Sequence, residues 1–288
     1  MVPEGFKSSG GDFLKVPLAY RMPKQRLDIL LVESGLAESR ARAQALILAG
    51  QVLVTNQRID KPGRLVDSTS EIRIKGETLR YVGRGGLKLE AALREFNIEV
   101  KGKTCIDVGA STGGFTDCLL QHGAERIWAV DVGHNQLAWK LRQDSRVVVL
   151  EGVNARNLDS AAFPLRFDVA TIDVSFISLN RILPAVSRII TDEAECISLV
   201  KPQFEVGKGE VGSGGIVTDP AKHKRVLREI RDAALQADLE AIGLISSPIL
   251  GAEGNREFLM HLKRASKDPR ADTIDGRIDS LTEPDFGF

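Results

Sequence analysis

Five runs of apolar, β-favouring residues, at 104–108, 126–130, 147–150, 169–172 and 196–200, constrain this chain more than any other feature of its sequence. They are continuous rather than alternating, the pattern of strands buried on both faces. The connections between them are too long for hairpins, and segments such as 116–122 and 179–190 space their apolar residues as helices do. Parallel strands require crossovers of this kind, so the spacing predicts βαβ units, an α/β fold and a mostly parallel sheet covered on both faces. Ligands of such sheets bind beyond the carboxyl ends of the strands.

The N-terminal part reads differently. Residues 1–22 have little apolar periodicity and are expected to form a flexible leader. From there Leu27, Leu30 and Leu31 share a helical face, and Ser39 can cap a second helix on which Ala43, Leu46 and Ile47 align. Gly50 stands where a left-handed residue would end that helix. Residues 51–55 read as a strand, Asn56 and 61–63 as turns, and 71–75 alternates charge with isoleucine. Residues 23–82 are thus expected to form a small α+β module. The chain carries 39 basic and 39 acidic residues, yet residues 21–88 hold 13 basic against 7 acidic ones, an excess of six. An excess of that kind suits a polyanion.

The order Arg26-Leu27-Asp28, Ser39-Arg40-Ala41-Arg42-Ala43, Gly50-Gln51-Val52-Leu53-Val54 and Lys61-Pro62-Gly63 resembles the S4 RNA-binding domain. The resemblance implies RNA contact by a basic set that we take as Arg26, Arg40, Arg42, Arg58 and Lys61, with Arg84 beyond the module. Gln57 stands where the family usually has Gly, so a different hairpin turn is expected.

Cys105, Cys118 and Cys196 form no CxxC pair and the four histidines lack metal-ligand spacing, so no metal site is expected. The start has no apolar stretch behind a basic one, and no apolar run approaches the ~20 residues that cross a bilayer. A cytoplasmic protein is the expectation. Residues 266–288, rich in Asp, Pro and Gly with 3 basic and 6 acidic side chains, are expected to be an acidic disordered tail.

Asp107-Val108-Gly109-Ala110-Ser111-Thr112-Gly113-Gly114-Phe115 closes the first run. A Gly-rich turn between strand and helix lets a ligand approach the backbone, and alone would serve NAD, a nucleotide or S-adenosylmethionine. The flanking acids narrow the choice. Asp107, two positions before Gly109, would repel a pyrophosphate and suit the ammonium end of S-adenosylmethionine, directly or through water. Asp131, closing the second run, can accept from both ribose hydroxyls, and Asn154, after the third, can meet the adenine edge.

Two further strand ends bear chemistry, Asp173-Val174-Ser175-Phe176 and Lys201-Pro202-Gln203-Phe204, and both are expected to face the same cleft. Lys88 in 84–89 and Glu257 in 251–258 can join them. Each alone could be a surface charge. Together they suit methylation of a ribose 2′-hydroxyl, a poor nucleophile whose proton a buried lysine beside a second ammonium can accept while carboxylates position it.

An S4-like module followed by Gly-Arg-Gly-Gly-Leu-Lys, Asp-Val-Gly-Ala-Ser-Thr-Gly-Gly-Phe-Thr-Asp, Asp-Val-Ser-Phe-Ile-Ser, Val-Lys-Pro-Gln-Phe-Glu and Glu-Gly-Asn-Arg-Glu-Phe resembles the TlyA family, historically labelled hemolysins and similar to FtsJ-type RNA methyltransferases. The resemblance, over residues 24–263, implies a Rossmann-like S-adenosylmethionine-dependent methyltransferase domain at 83–265 behind the S4-like domain. It implies a catalytic tetrad of Lys88, Asp173, Lys201 and Glu257, with S-adenosylmethionine around Gly109, Ala110, Ser111, Gly113, Gly114, Phe115 and Asp131. It further implies 2′-O-methylation of cytidine in ribosomal RNA, free or in a ribosomal subunit. One alternative is RNA base N-methylation, for which 173–176 offers an acidic and aromatic cradle but the lysines no role. Another is an RNA-binding protein with a vestigial pocket. A membrane-active hemolysin finds no signal, span or barrel pattern.

Overall fold

The computed structural model describes residues 24–34, 36–37, 39–68, 70–75, 80–207, 209–251, 254–265 and 271–283. The leader expected over 1–22 lies outside them. The chain divides into two compact units, Met1–Glu77 and Thr78–Phe288.

In the first unit β1 (Lys24–Arg26) leads into α1 (Leu27–Glu33), followed by α2 (Arg40–Leu48), β2 (Val52–Val54), β3 (Gln57–Arg58), β4 (Leu65–Asp67) and β5 (Ile72–Ile74). Ser39 caps α2 as its sequence suggests, its hydroxyl accepting from the Arg42 N–H, and Gly50 ends it with φ +66°. The apolar residues of both helices close a small core with Val52, Val54 and Val66. The β2–β3 hairpin turns on Thr55 and Asn56, both at positive φ, the geometry of a type I′ turn. Gln57 lies in the strand opposite Val54, so no Gly is needed there.

The second unit contains α3 (Gly85–Glu95), β6 (Thr104–Val108), α4 (Gly114–Gln121), β7 (Arg126–Asp131), α5 (Trp139–Arg142), β8 (Val147–Glu151), β9 (Phe167–Ile172), α6 (Leu183–Ile189), β10 (Ile190–Val200), α7 (Pro202–Glu205), α8 (Pro220–Gln236), β11 (Leu239–Ser246), β12 (Phe258–Arg264) and α9 (Ala271–Leu281). All five predicted runs are strands of one seven-stranded sheet, ordered β11-β12-β10-β9-β6-β7-β8, in which only β12 runs antiparallel to its neighbours. Side chains alternate between its faces. Ile106, Val108, Ala170 and Ile172 point to the face covered by α6, α8 and α9, whereas Cys105, Val169, Ile197, Leu199 and Leu259 meet α3 and α4. The strand order reverses at β6, leaving a crevice between the carboxyl ends of β6 and β9.

Two expectations are corrected. The boundary falls at 77/78 rather than 82/83, because Tyr81 is buried in the core of the larger unit and the Val82 N–H donates to Asp117 Oδ2 at 2.7 Å. The expected tail is not disordered over 271–281: it forms α9, which buries Ile274 and Ile278 in the main core, while the rest of 266–288 apart from Thr282 and Glu283 lies outside the described residues. Composition misled here because the acids have partners. Asp279 meets Lys224 at 2.9 Å and Arg228 at 3.0 Å, and Asp275 meets Arg231, all on α8. Exposed pairs of this kind contribute little, so the two isoleucines carry the attachment. Ile278→Ala should lower the unfolding free energy by about 2–5 kcal/mol in urea denaturation, and a loss within 0.5 kcal/mol of zero would leave α9 without an anchoring role.

Candidate active site

β6 ends in the Gly-rich turn. Gly109 (φ +90°) and Gly113 (φ +98°) adopt left-handed backbone, and a Cβ at Gly109 would collide with the carbonyl oxygen of Asp173, one at Gly113 with Leu141. Glycine is therefore required by both conformation and space. The Asp173 N–H donates to Val108 O at 2.9 Å, which fastens the end of β9 beside that of β6. The pocket over this junction is lined by Gly83, Arg84, Gly85, Gly109, Ala110, Ser111, Thr112, Gly114, Phe115 and Asp173.

Asp131 ends β7 next to the turn. Its Oδ2 accepts from Ser111 N–H at 2.8 Å and its Oδ1 from Gly133 N–H at 2.7 Å, and each carboxylate oxygen keeps a further lone pair. Backbone cradle and strand-end carboxylate fit a nucleoside cofactor with a cationic end. Asn154 is less available: its Oδ1 accepts from the N–H and Nε of Arg156.

Asp107 stands one residue before the end of β6. It is fully buried, on the α4 face of the sheet, where Oδ2 accepts from the Thr116 hydroxyl at 2.6 Å and Oδ1 from the Thr171 hydroxyl at 3.0 Å. Direct contact with an ammonium group is closed to it, because both oxygens face inward. Burial pushes its carboxyl up to about 6, against the lowering effect of the two hydroxyls.

The four residues expected to form a tetrad come together as two ion pairs. Lys201 Nζ lies 2.6 Å from Asp173 Oδ1 and donates to Ser175 Oγ at 2.9 Å, and Lys88 Nζ is paired with Glu257 Oε2. Lys88 and Glu257 are buried, and the Lys201 side chain is only 12% exposed. Register explains the convergence: Val200 pairs with Phe258, so Lys201 and Glu257 stand side by side where β10 ends and β12 begins. A Cβ at Gly85, one turn before Lys88, would lie 3.8 Å from Asp173 Oδ2, which brings α3 to the same place. Gly251 packs against the Glu257 carboxylate without room for a side chain. Asn255, two residues before Glu257, binds Val217 N–H at 3.1 Å and Gly215 O at 3.0 Å and so fixes the loop beside it.

Two aromatic residues are not assigned to the 2′-hydroxyl site by the sequence, which reads Phe176 only as part of a base-methylation cradle. Phe176 is 90% exposed, adopts φ +62° and lies 4.8 Å from the Phe204 ring, while Lys201 Nζ sits 5.8 Å from Phe204. Both belong to strand-end motifs, which was the available signal; exposure is invisible in a sequence. Among the described residues no group of three or more His, Cys, Asp or Glu could hold a metal ion.

In the N-terminal unit the basic residues do not all project freely. Asp28 is fully buried and accepts from Arg26 Nε and Nη2 at 3.0 and 2.9 Å, Arg40 Nε at 3.0 Å and Gln44 Nε2 at 3.0 Å. The hydrogen bond from Arg26 leads the effects that hold its carboxyl well below the usual range. Arg26 also lies against Gly63, so the 61–63 turn that carries exposed Lys61 joins this group, with exposed Arg42 on α2. Arg58 covers Gly50. Arg84 belongs to the other unit, at the pocket.

Known proteins resemble this chain over most of its length. The FtsJ-like methyltransferase family model matches residues 81–264 and the S4 domain model residues 25–72. YqxC of Bacillus subtilis, provisionally named an rRNA methyltransferase, is 53% identical over 240 residues, which cover 83% of this chain and 85% of that protein. The 16S/23S rRNA (cytidine-2′-O)-methyltransferase TlyA of Mycobacterium tuberculosis is 44% identical over 241 residues, with 83% and 90% covered. A solved structure from Streptococcus thermophilus, provisionally named a hemolysin, has a TM-score of 0.71 at 46% identity and covers 91% of this chain and 95% of its own.

The Asp107 titration is open to test. A carboxyl harder to ionise in the fold contributes stability that is complete below about pH 4 and is lost as the pH rises through about 6. Asp107→Asn, neutral throughout, should remove that dependence and gain up to about 3 kcal/mol on wild type between pH 4 and pH 7 in urea unfolding. A constant difference across that range assigns the titration elsewhere.

Proposed function

Because this chain belongs to the FtsJ-like methyltransferase family, with an S4 domain ahead of the catalytic unit, we propose that it methylates the ribose 2′-hydroxyl of cytidine in ribosomal RNA. The observation that carries this reading is the pair of sheltered Lys–carboxylate contacts, Lys201–Asp173 and Lys88–Glu257, beside the Gly-rich turn. Base methylation would give neither lysine a task.

S-adenosylmethionine, when bound, supplies an electrophilic methyl group on a sulfonium. Gly109, Ala110, Ser111, Gly113, Gly114 and Phe115 would hold it by close backbone approach, and Asp131 by its ribose hydroxyls. Lys201 Nζ donates to Ser175 Oγ and is held against the Asp173 carboxylate as an ion pair, and the two contacts fix the position of the amine toward a substrate. Lys201 would accept the proton of the 2′-hydroxyl whose oxygen receives that methyl group. Lys88, fixed by Glu257, would supply a second cation that steadies the developing oxyanion. The exposed ring of Phe176, backed by half-buried Phe204, would offer a stacking surface for a base turned out of its helix.

The partner is ribosomal RNA, naked or within a subunit, and the site of action is the cytoplasm. The S4 unit contributes phosphate contacts from Arg42, Lys61 and the guanidinium edges that Asp28 leaves open on Arg26 and Arg40. No helix among the described residues is long and apolar enough to cross a membrane.

The test is incubation with labelled S-adenosylmethionine and separate small-subunit and large-subunit RNAs, naked and assembled, followed by nucleoside analysis. Label should appear as 2′-O-methylcytidine in a linkage resistant to alkali; label on a base would overturn the reading. Lys201→Met should keep cofactor affinity in calorimetry but lose about 100-fold or more in methyl transfer. Retention of most activity would remove Lys201 from the proton transfer.

Phosphate contacts release counterions, so RNA affinity should fall with salt. Changing Arg42 and Lys61 together to Ala should flatten the log–log salt slope by about 1.4–1.8 for two contacts. An unchanged slope would assign these cations to solvent.

A further inference from the structure

Glu205 closes α7 behind the site, and no role above uses it. Its Oε1 accepts from the Leu179 N–H at 2.9 Å, and burial raises its carboxyl against the lowering effect of that N–H and of the neighbouring Ser178 hydroxyl. The loop leaving β9 is therefore tied to the segment leaving β10 at three places. Lys201 binds Asp173 and Ser175 at the near end, the Phe204 ring meets Phe176 in the middle, and Glu205 holds Leu179 at the far end. Between the outer ties lies Phe176, a bulky residue at φ +62° with 90% of its surface open to solvent. Left-handed backbone is unfavourable for such a residue and persists only where its surroundings hold it. The ring contact with Phe204 alone leaves the chain beyond it free to relax.

We propose that Glu205 is a positioning residue for methyl transfer: by binding the Leu179 N–H it anchors the far end of the 173–178 loop and so holds Phe176 and Ser175 in place beside Lys201. It acts through these residues and touches neither substrate nor cofactor. Its work is hydrogen-bond acceptance and needs no charge, so Gln, which presents an amide oxygen to the Leu179 N–H, should replace it. The cofactor cradle at 109–115 and Asp131 lies on other strand ends and should not respond.

The part of this inference that concerns catalysis rests on the RNA methyltransferase reading, and a first measurement is independent of it. Hydrogen exchange of 174–179 in the full chain should be at least tenfold faster in Glu205→Ala than in wild type, with Glu205→Gln close to wild type. Unchanged exchange overturns the anchoring. The second measurement is a double-mutant cycle on kcat/KM for RNA at saturating cofactor. Glu205→Ala should cost tenfold or more alone, less than threefold in a Phe176→Ala background, and leave cofactor affinity within twofold of wild type; Glu205→Gln should restore activity to within threefold. Penalties that multiply, or a parallel loss of cofactor affinity, would reduce Glu205 to a structural helix cap. Wild type that shows the exchange behaviour but methylates no RNA would refute the function and leave the anchor standing. Should Glu205→Ala not fold, Glu205→Met, close in size and without an acceptor oxygen, makes the same comparison.

Discussion

The side-chain alternation of the central sheet is the constraint on which the site depends. Val169 and Thr171 on β9, Ile197 and Leu199 on β10, and Leu259 on β12 all lie on the α3 side. Two residues beyond Thr171 and Leu199, and two before Leu259 on antiparallel β12, the same parity delivers Asp173, Lys201 and Glu257 to that side, where α3 contributes Lys88. A one-residue slip of any strand would send its charged group to the opposite face. Sheltering four charges is costly unless each is paired, and the two Lys–carboxylate contacts meet that demand.

Two buried carboxyls elsewhere follow opposite physics. Asp28 is wrapped by two guanidinium groups and an amide, which hold it well below the usual range. It gathers Arg26 and Arg40 onto one edge of the small unit, where their remaining N–H groups can meet phosphate. Asp107 has only two hydroxyls for company, so burial prevails and its carboxyl is pushed up to about 6. It knits β6, β9 and α4 together under the Gly-rich turn, a structural task at a position where the sequence suggested ligand contact.

Much of this was legible in the sequence because it is local. Continuous apolar runs marked five strands, Ser39 and Gly50 marked the ends of α2, and the glycines of 109–114 marked a turn that a Cβ would block. Periodicity, capping and steric exclusion act over a few residues, and the sequence alone determines them. The two-unit organisation followed from the change from a small α+β pattern over 23–82 to βαβ runs from residue 104.

Only the tertiary structure decided the rest. Lys88 and Glu257 are 169 residues apart and meet because β12 turns back against β10. Phe176 is exposed because Glu205 and Phe204 hold its loop from another strand end. Residues 271–281, which composition assigned to a tail, form a helix because the core accepts Ile274 and Ile278, with the acids paired along α8. Arg26 and Arg40 were drawn to Asp28, a buried charge whose need for partners no linear pattern reveals. Burial and pairing depend on which distant segments the sheet order brings together, and that is fixed by the packing of the whole unit rather than by any stretch of its sequence.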